Sequence, residues 1–333
     1  MKPKQFPPFR LVVFALAAVV AWSAAPAQGV DGTESGAEER QEAPFELKRP
    51  TLENVDPRRF GKREDAAFGA FQRGYYLTAL KLARPRAEAG DPAAQTLMAE
   101  IYARGLGVAK DVEKAAELYA EAAKQGIPEA QMQYALILID GSLVEKDPEQ
   151  ALTLMRSAAE AGEPLAQFNL AQMMMESGSS VDEAVRWYER AASARLPDAQ
   201  YAMAQIHTHG VGHKQQDEAE ALRWLRKAAR QNYDTAQLDL GTWLVEGRGG
   251  KADPKKGFAW LKRAAESGNI AAQNRVAKLY RAGIGVEADS VLAAAWYILA
   301  RRAGLEDPEM KGFMAGLTDE ELKEAVERAN RLR

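Results

Sequence analysis

His207, His209 and His213 lie within the seven residues His-Thr-His-Gly-Val-Gly-His, and the 333-residue chain has no other histidine. Imidazole is the commonest metal ligand in proteins, so this spacing raises a metal site, with Asp217 as a carboxylate that could join it. The rest of the sequence offers little chemistry to accompany it. Ser-x-x-Lys, Gly-x-Ser-x-Gly and His-Glu-x-x-His are all absent, which removes the usual serine-hydrolase and zinc-protease arrangements. The glycine-rich basic stretch EGRGGKADPKKG (246–257) lacks the Gly-x-x-x-x-Gly-Lys-[Ser/Thr] order that brings amides and a lysine onto one phosphate. No catalytic constellation emerges, so the chain reads as a non-enzyme with no cofactor and no metal.

The scaffold that positions the histidines explains them. Ala-Gln recurs at 94/95, 130/131, 166/167, 199/200, 236/237 and 272/273, a period near 36 residues that points to a helical repeat array. Aligning on this dipeptide places Met98, Tyr134, Leu170, Met203, Leu240 and Val276 in one column. Small residues follow at Ala99, Ala135, Ala171, Ala204, Gly241 and Ala277, then Tyr102, Leu138, Met174, His207, Leu244 and Tyr280. Apolar residues spaced by three and four mark the buried stripe of a first helix, A. Glycines 105, 141, 210, 247 and 283 end it.

A second helix, B, begins after Asp111, Asp147, Asp253 and Asp289, which suit the N-cap, with Pro148 and Pro254 at the first helical position. Ala115, Ala151, Ala184, Ala221, Gly257 and Ala293 form its small column. Leu118, Leu154, Trp187, Trp224, Trp260 and Trp296 form its large one, which core packing explains better than a ligand ladder. In this register His207 takes a core slot, His209 a polar slot at the helix end, and His213 the turn slot of Val108, Val144 and Val286. Three different slots argue against a shared metal.

Neither helix of such a unit can bury its stripe alone, and stacking buries both. The spacing predicts an all-α fold, a right-handed α-solenoid of helix–turn–helix repeats at 91–126, 127–162, 163–195, 196–232, 233–268 and 269–304. An atypical first unit spans 65–90 within a solenoid of 64–304. A C-terminal capping helix is expected in 305–333, opened by the capping box Thr318-x-x-Glu321.

The first 27 residues combine Lys2, Lys4 and Arg10 with the apolar run Leu11–Trp22 and the small residues Ala25-Pro26-Ala27, a secretory signal with cleavage near Ala27. The run is shorter than the roughly 20 residues a membrane span needs. Residues 28–63, densely charged with eight acids and seven bases and punctuated by Gly and Pro, read as a disordered acidic leader. The expected location is the periplasm or outside the cell. There is no cysteine for a lipid anchor or a disulfide. Removing three positive charges and no acid takes the net charge from −3 to −6, spread along the chain, which disfavours nucleic acid as partner.

The stretch AEIYARGLGVAKDVEKAAELYAEAAKQG (99–126) and its counterpart AKLYRAGIGVEADSVLAAAWYILARRAG (277–304) resemble the Sel1-like repeat family, a relative of tetratricopeptide arrays. The resemblance implies a scaffold that binds protein partners, often at the cell envelope. The start of the array, DAAFGAFQRGYYLTALKLARPRAEAGDPAAQ, is also similar to periplasmic members that restrain a sensor kinase controlling exopolysaccharide synthesis, an alternative function. A secreted β-lactamase-like branch of the family is cysteine-rich, and this chain departs from it.

The columns that vary between repeats carry the binding expectation. Positions 96, 100 and 103 and their equivalents fall at i, i+4 and i+7, on one side of helix A, away from the small column. By analogy with tetratricopeptide geometry that side lines a concave groove. Its centre is apolar: Met132, Leu136 and Ile139, then Phe168, Gln172 and Met175, then Tyr201 and Gln205, then Leu238 and Val245. A protein or peptide laid in the groove as a helix or extended strand fits that surface.

Overall fold

The computed structural model describes residues 65–332, in which sixteen α-helices and no strand occur. The export signal of 1–27 and the leader of 28–63 lie outside the described residues. The described chain forms two compact units, 65–147 and 148–332.

The first unit holds α1 (Ala66–Gln72), α2 (Tyr76–Glu88), α3 (Pro92–Arg104), α4 (Val112–Lys124) and α5 (Pro128–Asp140), each packed on the next. The second holds α6 (Pro148–Glu160), α7 (Pro164–Ser177), α8 (Val181–Ser193), α9 (Pro197–His209), α10 (Glu218–Arg230), α11 (Asp234–Glu246), α12 (Pro254–Glu266), α13 (Ile270–Ala282), α14 (Ser290–Arg302), α15 (Pro308–Met314) and α16 (Asp319–Arg331). Within it each helix from α6 to α14 packs on its neighbour, and α16 lies along α14. This is the α-solenoid pattern of stacked helix pairs.

Local chemistry accounts for the boundaries. Each of Asp111, Asp217, Asp253 and Asp289 accepts from the backbone N–H three residues on, relieving one unpaired donor of its helix B. The N–H of the same residues donates back to the last turn of helix A, at Tyr102, His207, Leu244 and Tyr280. Helix A leaves through left-handed glycines such as Gly105 and Gly210, at φ 66° and 68°. In the shortest repeat α7 runs one residue longer and leaves at Gly178.

The recurrent glutamine joins one helix pair to the next. In all six repeats its side-chain N–H donates to the carbonyl eight residues earlier, in the last turn of the preceding helix B. The pairs are Gln95–Ala87, Gln131–Ala123, Gln167–Ala159, Gln200–Ala192, Gln237–Ala229 and Gln273–Ala265, at 3.1–3.4 Å. Five of these glutamines are buried, where an unpaired amide costs about 1–3 kcal/mol, so the bond specifies register as well as contact. The column of Ala99, Ala135, Ala171, Ala204 and Ala277 is fully buried, as its size predicts.

The C-terminal region departs from the single expected helix. Thr318 and Glu321 do form a reciprocal capping box that opens α16. A further short helix, α15, precedes it, capped by Asp307 with Pro308 at its first position, and Met310 is sealed in the core. Seven residues are too few for helical periodicity to register in a sequence.

Candidate functional site

The ten side chains expected to line a groove divide by burial. On α5, Met132 and Leu136 are buried and Ile139 is half-buried; on α7, Phe168 and Gln172 are buried and Met175 is half-buried. Tyr201, Gln205, Leu238 and Val245, on α9 and α11, are all half-buried. Phe168 is only 5 % exposed and packs edge-on against Tyr188 of α8, ring centres 5.5 Å apart. Val245 does not point away from the small column: a β-carbon on Gly257 of α12 would meet its Cγ2 at 2.6 Å. On α11 the third column therefore leans toward its partner helix B, and on α3 Ala103 in that column is fully buried. The first two columns stay more open on α9, α11 and α13, at Tyr201, Gln205, Leu238, Thr242, Asn274 and Lys278.

Between α9 and α11 these side chains meet partners that the columns did not single out. The Tyr201 hydroxyl donates to Asp239 at 2.9 Å, and its ring lies 5.3 Å from that of Tyr233 at a tilt of 37°. Burial raises the Asp239 carboxyl above the usual carboxylate range, against the Tyr201 hydrogen bond, and burial likewise raises Asp198. The Tyr233 hydroxyl is pushed up to about 12, by burial first and by Asp198 and Asp234 after it. Two phenols and two desolvated carboxylates make a surface suited to a cationic or hydrogen-bond-donating side chain. A signal for Asp239 was present, because its column (Leu97, Gln133, Asn169, Ala202, Asp239, Arg275) varies as freely as those chosen.

At the last repeat the same face is already occupied. Asn274 donates to Asp307 at 2.7 Å, and Lys278 pairs with Asp307 at 2.7 Å and Glu309 at 2.9 Å. Arg281 pairs with Glu309 and lies over the ring of Phe313. The Tyr297 hydroxyl donates to the Asp307 carbonyl at 3.1 Å and accepts from its N–H at 3.3 Å. Hydrogen bonds from Lys278 and then Asn274 hold the Asp307 carboxyl far below the usual range. The polar end expected at Asn274, Lys278 and Arg281 is thus filled by the chain's own 307–313 segment.

The histidines keep separate surroundings. His207 is half-buried; its Nδ1 has no hydrogen-bond partner and desolvation lowers its pKa, while its carbonyl accepts from Asp217. His209 is an exposed last residue of α9. His213 is exposed between Asp182 and Glu189 of α8, at 3.8 and 3.9 Å, carboxylates that repeat spacing does not suggest. Asp217 is engaged as the cap of α10. Among the described residues no group of three such side chains converges as a metal would require. The tryptophans of helix B carry a cation one turn on: Arg190 over Trp187, Lys227 over Trp224 and Arg263 over Trp260, at 4.4, 3.4 and 5.7 Å. Trp296 has Leu299 in that place and is fully buried.

The profile of the Sel1 repeat matches residues 92–127, 128–163, 164–195, 197–233, 235–269 and 270–305. Among solved structures, the chain is similar to a protective antigen of uropathogenic Escherichia coli strains that displays an SLR fold. Identity is 28 % and the TM-score 0.68, over 80 % of this chain and 60 % of that one. It is also similar to a Sel1 repeat protein from Oxalobacter formigenes, 26 % identical with a TM-score of 0.62, over 72 % of this chain and 97 % of that one. The chain therefore spans about three-fifths of the antigen and nearly all of the Oxalobacter protein. No curated protein matches the sequence. Among the described residues no helix is long and apolar enough to cross a membrane. With six matched units over most of its length, the chain belongs to the Sel1 repeat family, whose members generally act as non-catalytic scaffolds for protein–protein interaction.

Proposed function

We propose that the chain is a periplasmic scaffold that holds a segment of a partner protein along the open side of α9 and α11, at Tyr201, Gln205, Leu238 and Thr242. The observation that carries this reading is the occupied last repeat. There the equivalent positions Asn274 and Lys278 take a polypeptide segment, contacting both its carboxylates and, through Tyr297, its main chain. The preceding two repeats offer the same positions without an occupant from the described chain. Their half-buried apolar and amide groups suit a peptide, and Asp198 and Asp239 favour a basic side chain in it. The basic, then apolar start of the sequence supports action in the periplasm.

Site-specific photo-crosslinking in intact cells tests this. A photoreactive amino acid at Gln205 or Thr242 should capture a partner, and one at the exposed Arg226 or Ala259 of helix B should not. Capture from the helix B positions alone would move the interface to the other side of the array.

A further inference from the structure

Four of the large apolar side chains most exposed in the described structure gather on the first two helices: Phe68, Tyr75, Leu77 and Leu82. Tyr75 and Leu77 are 61 % and 62 % exposed, more than any other large hydrophobic side chain among the described residues. The repeat register makes them unusual. Tyr75 stands where later units place a capping aspartate, such as Asp111, Asp217 or Asp253, and it supplies no side-chain cap. Leu77 stands where Glu113, Glu149 and Asp182 occur. Giving up a cap costs a helix about 1 kcal/mol, and an apolar residue in an acidic slot gains nothing from water. Such a surface is built to be covered.

The face is also basic. Leu77, Lys81 and Arg84 follow one another at i, i+4 and i+7 along α2, with Leu82 exposed at the other edge of its open side, about 140° round the helix from Leu77, and Arg73 at the end of α1. Arg73, Lys81 and Arg84 are exposed, and none of them is in an ion pair among the described residues. Alternating apolar and cationic side chains fit a segment that alternates apolar and anionic ones. The chain carries one shortly before α1: Glu42-Ala-Pro-Phe45-Glu46-Leu47, in a stretch (31–47) with six acids and a single base.

We propose that Glu42–Leu47 docks on this face, with Phe45 and Leu47 covering Tyr75, Leu77 and Leu82 while Glu42 and Glu46 meet Lys81 and Arg84. The eighteen residues from Leu47 to Asp65 can extend to roughly 60 Å, several times the ~10 Å between Leu77 and Arg84, so the connection imposes no strain. Covalent attachment holds the segment at an effective concentration on the order of millimolar, which favours weak docking. A second copy meeting this face symmetrically would set Arg73, Lys81 and Arg84 against their own like charges. An anionic lipid surface would attract those bases but repel the six acids just upstream.

The test is zero-length carbodiimide crosslinking of the full chain at low micromolar concentration, with peptide mapping of the monomer band. A link from Lys81 to Glu46 or Glu42 is expected. Its yield should fall at least fivefold in Leu77→Ser/Leu82→Ser, two exposed changes that leave the melting temperature in place. Absence of that link, or an undiminished yield in the variant, would overturn the proposal. Links found only between isotopically distinct copies would assign the face to self-association instead. Retention of the chain on phosphatidylglycerol vesicles, lost in the variant and without the intrachain link, would assign it to a membrane surface.

Discussion

The backbone of Gly257 lies directly on that of Gly241: a β-carbon added at 257 would come within 2.7 Å of the Gly241 carbonyl oxygen. Every other full repeat has alanine in the 257 column, and all but this one have alanine in the 241 column. Here α11 and α12 approach so closely that neither position leaves room for a β-carbon. Gly257→Ala should therefore destabilise the protein by about 1–3 kcal/mol, although it restores the residue used everywhere else. Chemical denaturation measures this, and an unchanged midpoint would mean that the two helices can separate freely.

The glutamine column makes a prediction of opposite sign. The Oε1 of Gln95 and of Gln200 accepts from Gln125 and Gln231, which sit at the end of helix B in the same unit, at 3.2 and 2.8 Å. Gln237 has Ser267 in that place, and its Oε1 is buried without a partner. Ser267→Gln should supply the missing donor and stabilise by about 1 kcal/mol. The gain should vanish when Gln237 is also changed to Leu, which a double-mutant cycle would read directly.

Four helices B end at glycines 126, 162, 268 and 304 in the left-handed region, with open space around the missing β-carbon. Arg195 and Asn232 adopt the same conformation at φ 69° and 64°. Arg195→Gly should stabilise by about 0.5–1 kcal/mol, since relief of backbone strain outweighs the extra freedom glycine gives the unfolded chain. Asn232→Gly should gain less. Asparagine tolerates this region, and the Asn232 side chain accepts from Arg263 at 2.6 Å. Thermal melts of the two variants side by side test the ranking.

The contact between the last repeat and α15 should depend on acid. Asp307 has its folded-state pKa depressed by Lys278 and Asn274, so its contribution is complete above the unfolded carboxylate value near 4. That contribution is lost as pH falls through and below this value, because the unfolded state binds the proton first. Asp307→Asn keeps a capping side chain but removes the charge. It should lower stability by about 1 kcal/mol at pH 7 and by progressively less toward pH 3. A gap that stays constant with pH would show that the lysine contact contributes nothing.

Much of the architecture is legible in the residues. The Ala-Gln period, the aspartate caps and the glycine exits each state a backbone requirement of one turn or one helix end, and such requirements are local. The Thr318–Glu321 box and the place of His209 at a helix end follow for the same reason, whereas His207, expected in the core, is only half-buried. The face for a partner was less legible, because helical spacing gives the side of a helix and leaves open which neighbour covers it. Met132 and Phe168 share a column with Tyr201, yet they are buried, while Tyr201 stays half open and finds Asp239 in the next unit.

The sequence by itself determined that this chain is a stack of helix pairs of the Sel1 type, because the repeated small, capping and helix-ending residues constrain short stretches of backbone. Only the tertiary structure decided which faces remain open. The C-terminal segment covers Asn274 and Lys278, Gly241 lets α12 close on α11, and His213 settles between Asp182 and Glu189. Each of these joins residues from different helices, and burial and charge pairing depend on distances that no spacing along one helix encodes.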